Sequence, residues 1–141
     1  MKSIFDPLRK RNVAKTPEEE IRQQTIQVLL TQKLVPAPLI ESEFSLNAYS
    51  KTTKDRVDII VHNYQDVKKP WLLVECKAKG AYTFENLEIQ VNRYLHIITP
   101  KYIWLALGNE NKFFMLKDNK YEQIQELPIY NKENASFVAK E

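Results

Sequence analysis

The first strong pattern of polar and apolar positions predicts a helix. Thr16 and Pro17 are typical of a helix start, because threonine caps the first turn and proline favours its first position. Glu19 follows the cap by three residues, as in a capping box. Apolar residues then recur at helical spacing as far as Leu29, and we predict that the helix ends before Pro36.

Three strand-like segments and a second helix follow. Residues 40–46 alternate between apolar and polar, which predicts a strand with one exposed face. Residues 56–62 and 71–78 are rich in β-branched and other apolar residues, and the segment between them has the length of a hairpin loop. Residues 83–99 carry apolar positions at helical spacing and end at Pro100, so they predict a helix with one buried face.

The last predicted elements are two or more further strands, two of which can be placed in the sequence. Residues 102–107 are almost continuously apolar, as expected of a central strand that is covered on both faces. Residues 112–116 look like the next hairpin arm, and residues 131–141 form a polar tail that we expect to be loose. This order predicts an α/β fold with a central mixed β-sheet, in a single domain over residues 16–130.

Composition and charge narrow the class of protein only a little. Hydrophobic residues make up 43% of the chain, which is enough for one core, and a net charge of +3 is too small to identify a nucleic-acid binder. Basic residues crowd residues 1–15, which form a basic N-terminal arm. A solubilising tail and a segment that grips phosphates are both open interpretations of this arm.

Cysteine usage and hydropathy indicate the compartment. Cys76 is the only cysteine, so neither a disulfide framework nor a cysteine-based zinc site is expected. No apolar run reaches the roughly 20 residues that cross a membrane, and no secretory leader is recognisable. We therefore expect a cytoplasmic protein without a membrane partner.

Two acidic residues contradict their apolar surroundings. Asp58 and Glu75 each lie within a predicted strand, where an unpaired buried charge is costly. Strand alternation places Lys77 on the same side as Glu75 and Cys76 on the other. If the two strands pair, both carboxylates can bind one hard cation such as Mg²⁺ or Mn²⁺. The alternative is a structural ion pair of these acids with Arg56 or with Lys77.

These residues occur in a pattern that resembles the PD-(D/E)XK nuclease superfamily. The order of four motifs is similar to that in the N-terminal nuclease domain of type I restriction enzyme restriction (R) subunits. The motifs are Pro17-Glu18-Glu19-Glu20-Ile21-Arg22-Gln23, Arg56-Val57-Asp58-Ile59-Ile60-Val61, Leu73-Val74-Glu75-Cys76-Lys77-Ala78 and Gln90-Val91-Asn92-Arg93-Tyr94. The resemblance implies a restriction-endonuclease-like three-layer sandwich with helices on both faces of the sheet.

The resemblance also implies a role for each matching residue. The implied catalytic residues are Asp58, Glu75, Lys77, Gln90 and Tyr94. The implied metal ligands are Asp58, Glu75, the backbone carbonyl of Cys76, and Glu19. A plain helix cap is an equal interpretation of Glu19, and Glu20 is a weaker substitute for it. The border of an amphipathic helix is the alternative for Gln90 and Tyr94.

The resulting hypothesis is a Mg²⁺-dependent (or Mn²⁺-dependent) DNA endonuclease that has no translocase motor of its own. Arg56, Lys79 and Arg93 are candidates for a rim that binds DNA, with an ordinary solvated surface as the alternative. Two other functions stay open, namely a non-catalytic DNA-binding or assembly module and a nuclease for RNA or branched DNA. A homodimer and a complex with other restriction-modification subunits are also open.

Overall fold

The computed structural model describes residues 2–78, 80, 83–108 and 110–135. The described part contains two α-helices, eight strands and two short 3₁₀ turns. The elements are β1 (Ser3–Asp6), β2 (Arg11–Ala14), α1 (Pro17–Thr31), a 3₁₀ turn (Ala37–Leu39), β3 (Ile40–Ser45), a second 3₁₀ turn (Leu46–Ala48), β4 (Arg56–Val61), β5 (Leu72–Lys77), α2 (Phe84–Tyr94), β6 (Tyr102–Leu107), β7 (Glu110–Lys117) and β8 (Lys120–Ile124).

Strands β3 to β8 form one sheet in sequence order. All neighbouring strands are antiparallel except β5 and β6, which are parallel and are connected through α2. A parallel pair needs such a crossover connection, because its two strands run in the same direction. The predicted mixed sheet is confirmed.

One helix packs on each face of the sheet. Ile26 and Leu29 of α1 share one buried cluster with Val74 of β5, while Leu87 and Val91 of α2 belong to a second cluster on the other face. All six residues of β6 are buried, as its apolar sequence predicts for a strand covered on both sides. The three-layer sandwich that the sequence predicts is confirmed.

Helix α1 begins at the predicted cap, and α2 begins close to its predicted start. The Thr16 hydroxyl accepts a hydrogen bond from the Glu19 backbone N–H at 3.0 Å, and Thr83 caps α2 in the same way. Helix α2 ends at Tyr94, earlier than the predicted limit of residue 99. Residues 95–97 form a turn instead, and Thr99 is kept out of the helical region because it precedes a proline.

Strand β8 was not predicted from the sequence. Its residues are polar or only half-buried, as is usual for the outer strand of a sheet, so they carry no clear apolar alternation. The turn before it has φ angles of 50° at Asp118 and 64° at Asn119. Positive φ at both central residues is the geometry of a tight hairpin, and the Asp-Asn pair was the available signal.

Two segments near the ends of the described residues make hydrogen bonds that the sequence did not indicate. Residues 3–14 of the basic N-terminal arm form the β1–β2 hairpin. Its buried Asp6 carboxylate accepts hydrogen bonds from the Leu8 and Arg9 backbone N–H groups, which fixes the turn. Near the other end, Asn134 accepts a hydrogen bond from the indole N–H of Trp71 at 3.1 Å. Residues 136–141 of the predicted tail lie outside the described residues.

Candidate active site

Asp58 and Glu75 lie side by side on β4 and β5. The backbone pairing between these strands extends from Val61 and Leu72 to Ile59 and Val74, and the two acids occupy the next position. Here the carboxylates accept the amide protons of the opposite strand. The Asp58 N–H donates to Glu75 Oε1 at 3.2 Å, and the Cys76 N–H donates to Asp58 Oδ2 at 2.7 Å.

The sheet is also interrupted on the other side of Asp58. In a regular sheet Glu43 of β3 would pair with Asp58. These two residues are not paired, although Ser42 and Phe44 on either side of Glu43 pair with β4. Glu43 has a φ of 52°, in the left-handed region that residues with a Cβ rarely adopt. Asp58 therefore occupies a local break in the sheet, where its carboxylate reaches groups of helix α1.

Glu75 is oriented by helix α2. The Gln90 side-chain amide donates to Glu75 Oε2 at 3.2 Å and to the Tyr94 hydroxyl at 2.7 Å, and this hydroxyl donates to the Arg56 backbone carbonyl at 3.2 Å. Burial, and secondly the charge of Asp58, raise the pKa of Glu75 well above its usual value. The pKa of Tyr94 is raised by burial and then by the Glu75 charge, so its hydroxyl stays protonated and can donate its hydrogen bond.

Lys77 lies near the acids of the first helix. Its Nζ is 3.7 Å from Oε1 of Glu18, on the first turn of α1. Burial raises the pKa of Glu18, and the negative charge of Asp58 raises it further. Glu18 is therefore close enough to the site to interact electrostatically with Asp58. Glu18 is thus the acid of the first turn that faces Lys77, and the sequence analysis considered only Glu19 and Glu20.

Glu19 is not directed at the Asp58–Glu75 pair. Its carboxylate accepts hydrogen bonds from Arg9 at 2.9 Å, from Arg22 at 2.8 Å and from Gln23 at 3.1 Å. Three side-chain donors thus already bind its oxygens, and a metal-ligand role for Glu19 stays a prediction. Its backbone N–H keeps the predicted bond to the helix cap.

Arg22 is the charged partner of Asp58. Its Nη2 donates to Asp58 Oδ1 at 3.0 Å, and its side chain is only 7% exposed. Arg56 and Lys77 were the expected partners of these acids, and Arg22 was not predicted. One signal was available, because Glu18, Arg22, Thr25 and Leu29 follow each other at spacings of four, three and four residues. Such positions share one side of a helix.

A comparison with protein families matches this region. The model described as "Type I restriction enzyme R protein N terminus (HSDR_N)" matches residues 17–128. The chain belongs to this family. The match includes every side chain of the site, and the β1–β2 hairpin precedes it. A search of curated proteins and a search of solved structures gave no match.

Membership of the R-protein family agrees with the predicted restriction-endonuclease-like fold. It also indicates a relation to restriction systems and to DNA. In the part of the chain that the structure describes, no helix has the length and apolar character to cross a membrane.

The Cys76 side chain belongs to the core on the α1 side of the sheet. It is fully buried in the cluster that packs against α1, with its sulfur 4.0 Å from the Thr25 hydroxyl. Burial raises the pKa of this thiol well above its usual value, so it stays protonated. The backbone amide of Cys76 holds Asp58, while a metal-ligand role for its carbonyl stays a prediction.

The candidate DNA-contacting residues lie at the same end of the sheet. Arg56 is exposed at the start of β4, and Arg93 is exposed on α2 with its Nη2 3.4 Å from Asp55 Oδ1. Lys79 lies outside the described residues. A DNA-binding role for these side chains stays a prediction.

The residues present fit a hard divalent cation with few protein ligands. No group of three or more His, Cys, Asp or Glu side chains with metal-binding geometry occurs among the described residues. Mg²⁺, however, is usually held by one or two carboxylates together with water and substrate phosphates. Asp58 and Glu75 supply two such carboxylates, and the charge of Asp58 helps to raise the pKa of Glu75. A cation beside both would relieve this repulsion.

Proposed function

We propose that this domain is a Mg²⁺- or Mn²⁺-dependent endonuclease that hydrolyses phosphodiester bonds in DNA, with the PD-(D/E)XK type of active site. The observation that carries the proposal is the pairing of Asp58 with Glu75 across β4 and β5. Two adjacent carboxylates beside a lysine, on a scaffold of the restriction R-protein family, have the chemistry that phosphate hydrolysis requires.

In this proposal Asp58 and Glu75 would hold the cation. When bound, it would supply Lewis-acid polarisation of the phosphate and neutralise part of the charge that develops during hydrolysis. The ammonium group of Lys77 places a second positive charge beside the reacting phosphate and stabilises the transition state electrostatically. Glu18, 3.7 Å from this ammonium, keeps it on the α1 side of the site.

Helix α2 contributes by holding one carboxylate in place. Gln90 donates to Glu75 and is itself fixed by Tyr94, which is anchored on the backbone of β4. A buried carboxylate with two donors keeps one rotamer, so its free lone pairs keep one direction. The Gln90–Tyr94 pair is therefore proposed to position Glu75 and not to react with substrate.

The test is cleavage of supercoiled and linear DNA by the purified protein, with Mg²⁺, with Mn²⁺ and with EDTA. Asp58→Ala and Lys77→Ala should each lower the cleavage rate by about 100-fold or more, the usual cost of removing an electrostatic stabiliser. Asp66→Ala and Lys120→Ala are matched controls at exposed positions and should cleave at the wild-type rate. If the wild type cleaves no faster than the two site variants with any metal, the proposal is wrong. RNA and branched DNA serve as further substrate arms.

A second candidate function is a DNA-binding or assembly module without catalysis. The observation that favours it is the ion pair between Arg22 and Asp58, which already neutralises one of the two carboxylates. Such a module would bind DNA with the same affinity in EDTA and in Mg²⁺ and would leave it intact. A gel-shift measurement beside the cleavage assay separates the two functions.

The proposal also includes a cytoplasmic location and a partnership with other restriction-modification subunits. Both follow from the type I restriction family to which the chain belongs. Cleavage of both DNA strands usually requires two active sites, so a homodimer is a further prediction. Sedimentation velocity with and without DNA would test it.

A further inference from the structure

Arg22 connects two carboxylates in a place that water hardly reaches. Its Nη1 donates to Glu19 at 2.8 Å, and its Nη2 donates to Asp58 at 3.0 Å. The planar guanidinium group suits this arrangement, because its donors are held in a fixed fork. A buried charge of this kind is retained only where opposite charges compensate it.

The position of Arg22 is fixed from its far side. Glu19 also accepts hydrogen bonds from Gln23 and from Arg9, and Arg9 belongs to the β1–β2 turn that precedes the family match. Arg9 forms a further ion pair with the buried carboxylate of Asp6. The chain of charges from the hairpin to Asp58 thus holds the Arg22 guanidinium where a cation bound by Asp58 would approach it.

We infer that Arg22 is the counter-ion of Asp58 in the metal-free protein and that it opposes the binding of a divalent cation there. The inference rests on the proposed function, because it concerns the cation that Asp58 would hold. Arg22 is in this sense a positioning residue and not a ligand. It keeps Asp58 directed into the site before the cation arrives.

The distances make the opposition strong. The guanidinium nitrogen is 3.0 Å from Asp58 Oδ1. A Mg²⁺ ion lies about 2.1 Å from its oxygen ligands. An ion bound to this Oδ1 would thus be within about 5 Å of the guanidinium nitrogen. Two positive groups at that distance in a buried site repel each other enough to change affinity by more than about tenfold. The cation and Arg22 therefore compete for Asp58.

The experiment measures Mn²⁺ binding directly, through the amount of free aqueous Mn²⁺ in electron paramagnetic resonance spectra. Arg22→Gln should bind Mn²⁺ about tenfold or more tightly than the wild type, while Arg22→Lys keeps the charge and should stay closer to the wild type. Arg11→Gln is the matched control, since Arg11 is an exposed arginine of the β1–β2 hairpin. Its affinity should not change.

A second variant guards against a failure to fold. Arg22→Gln leaves the buried Glu19 with one arginine partner fewer, whereas the double variant Glu19→Gln/Arg22→Gln removes both charges together. Circular dichroism checks its fold, and its Mn²⁺ affinity should also rise. Unchanged or weaker Mn²⁺ affinity in folded Arg22→Gln, or in the folded double variant, overturns the inference.

The proposed function and this inference fail in different ways. If the wild type binds Mn²⁺ and cleaves DNA while Arg22→Gln has the same affinity, only the inference is wrong. If no protein binds Mn²⁺ and none cleaves, both are wrong. Addition of Asp58→Asn to the Arg22→Gln variant should abolish the gain, because the competition is for that carboxylate. A gain that survives this addition also overturns the inference.

Discussion

Tyr94→Phe removes one oxygen atom from the support of Glu75. The Tyr94 hydroxyl accepts a hydrogen bond from Gln90 and donates one to the backbone of Arg56, and the residue is only 1% exposed. Without this oxygen, the Gln90 amide loses its anchor, and the Arg56 carbonyl loses a buried donor. We expect a loss of stability and a loss of activity from the same deletion.

The size of the stability loss follows from the number of bonds. Each net hydrogen bond contributes about 1 kcal/mol, so the loss of two corresponds to about 2 kcal/mol in the free energy of unfolding. For a domain of this size, 1 kcal/mol shifts the melting temperature by about 4 °C, which gives a decrease of about 8 °C. Cleavage should slow by about tenfold or more, because Glu75 no longer keeps one rotamer.

The chain contains a matched control for this deletion. The Tyr121 hydroxyl donates a single hydrogen bond to the Pro100 backbone carbonyl at 2.7 Å. Tyr121→Phe should therefore cost about half as much stability, about 1 kcal/mol, and leave cleavage unchanged. Urea denaturation gives the free energies, and plasmid cleavage at a temperature well below both melting points gives the rates.

One result would refute the reasoning about α2. If Tyr94→Phe cleaves DNA as fast as Tyr121→Phe while both remain folded, the Gln90–Tyr94 pair does not position Glu75. A double-mutant cycle with Gln90→Ala sharpens the test. Since Tyr94 is proposed to act on Glu75 only through Gln90, the double variant should cleave no more slowly than Gln90→Ala alone.

Three further predictions concern the scaffold. Ile26→Ala should lower the free energy of unfolding by about 2–5 kcal/mol, because it opens a cavity between α1 and the sheet. Ile89 is 60% exposed, so the control Ile89→Ala should change this free energy by less than about 0.5 kcal/mol. Equal losses in urea denaturation would contradict the packing of α1. Thr16→Ala removes the cap of α1 and should cost about 1 kcal/mol by the same measurement. Burial acts to raise the pKa of Asp6, but hydrogen bonds from the Arg9 side chain and from nearby amides outweigh it, so this pKa lies below 3.8. The stability that this carboxylate contributes is present above pH 3.8 and is lost as the pH falls through the lowered pKa. Asp6→Asn should therefore destabilise the protein at pH 7 and reduce the dependence of its unfolding free energy on pH in acid. Parallel plots of unfolding free energy against pH for the wild type and the variant would contradict this.

Strand alternation explains why part of the site could be predicted. Asp58 and Glu75 are recognisable because each interrupts an apolar strand. Strand alternation also predicts Lys77 on the side of Glu75, whereas in the structure its ammonium group lies beside Glu18 of α1 and Glu75 contacts Gln90 of α2. These inferences need only local geometry and the pairing of two strands. The structure pairs β4 with β5, which brings the two acids together as the sequence analysis expected.

The helix side of the site depends on information that is not local. Three consecutive acids begin α1, and their directions differ by about 100° from one to the next. Both Arg22 and Gln23 of α1 are buried, so the apolar pattern alone does not show which side of the helix meets Asp58. The packing of α1 on the sheet decides this, and it directs Glu18 towards Lys77 and Glu19 towards Arg9.

The break in the sheet at Asp58 gives both carboxylates a structural task besides their proposed chemistry. In a regular ladder, the amides of Asp58 and Cys76 would donate to backbone carbonyls of the neighbouring strands. Here they donate to Glu75 and to Asp58. Each acid therefore satisfies a buried donor that would otherwise cost about 1–3 kcal/mol. A carboxylate held by a backbone amide needs no cation to keep its position, and Arg22 supplies the missing charge. These backbone hydrogen bonds explain how a buried pair of acids can fold without a metal ion, because the amides stabilise both carboxylates.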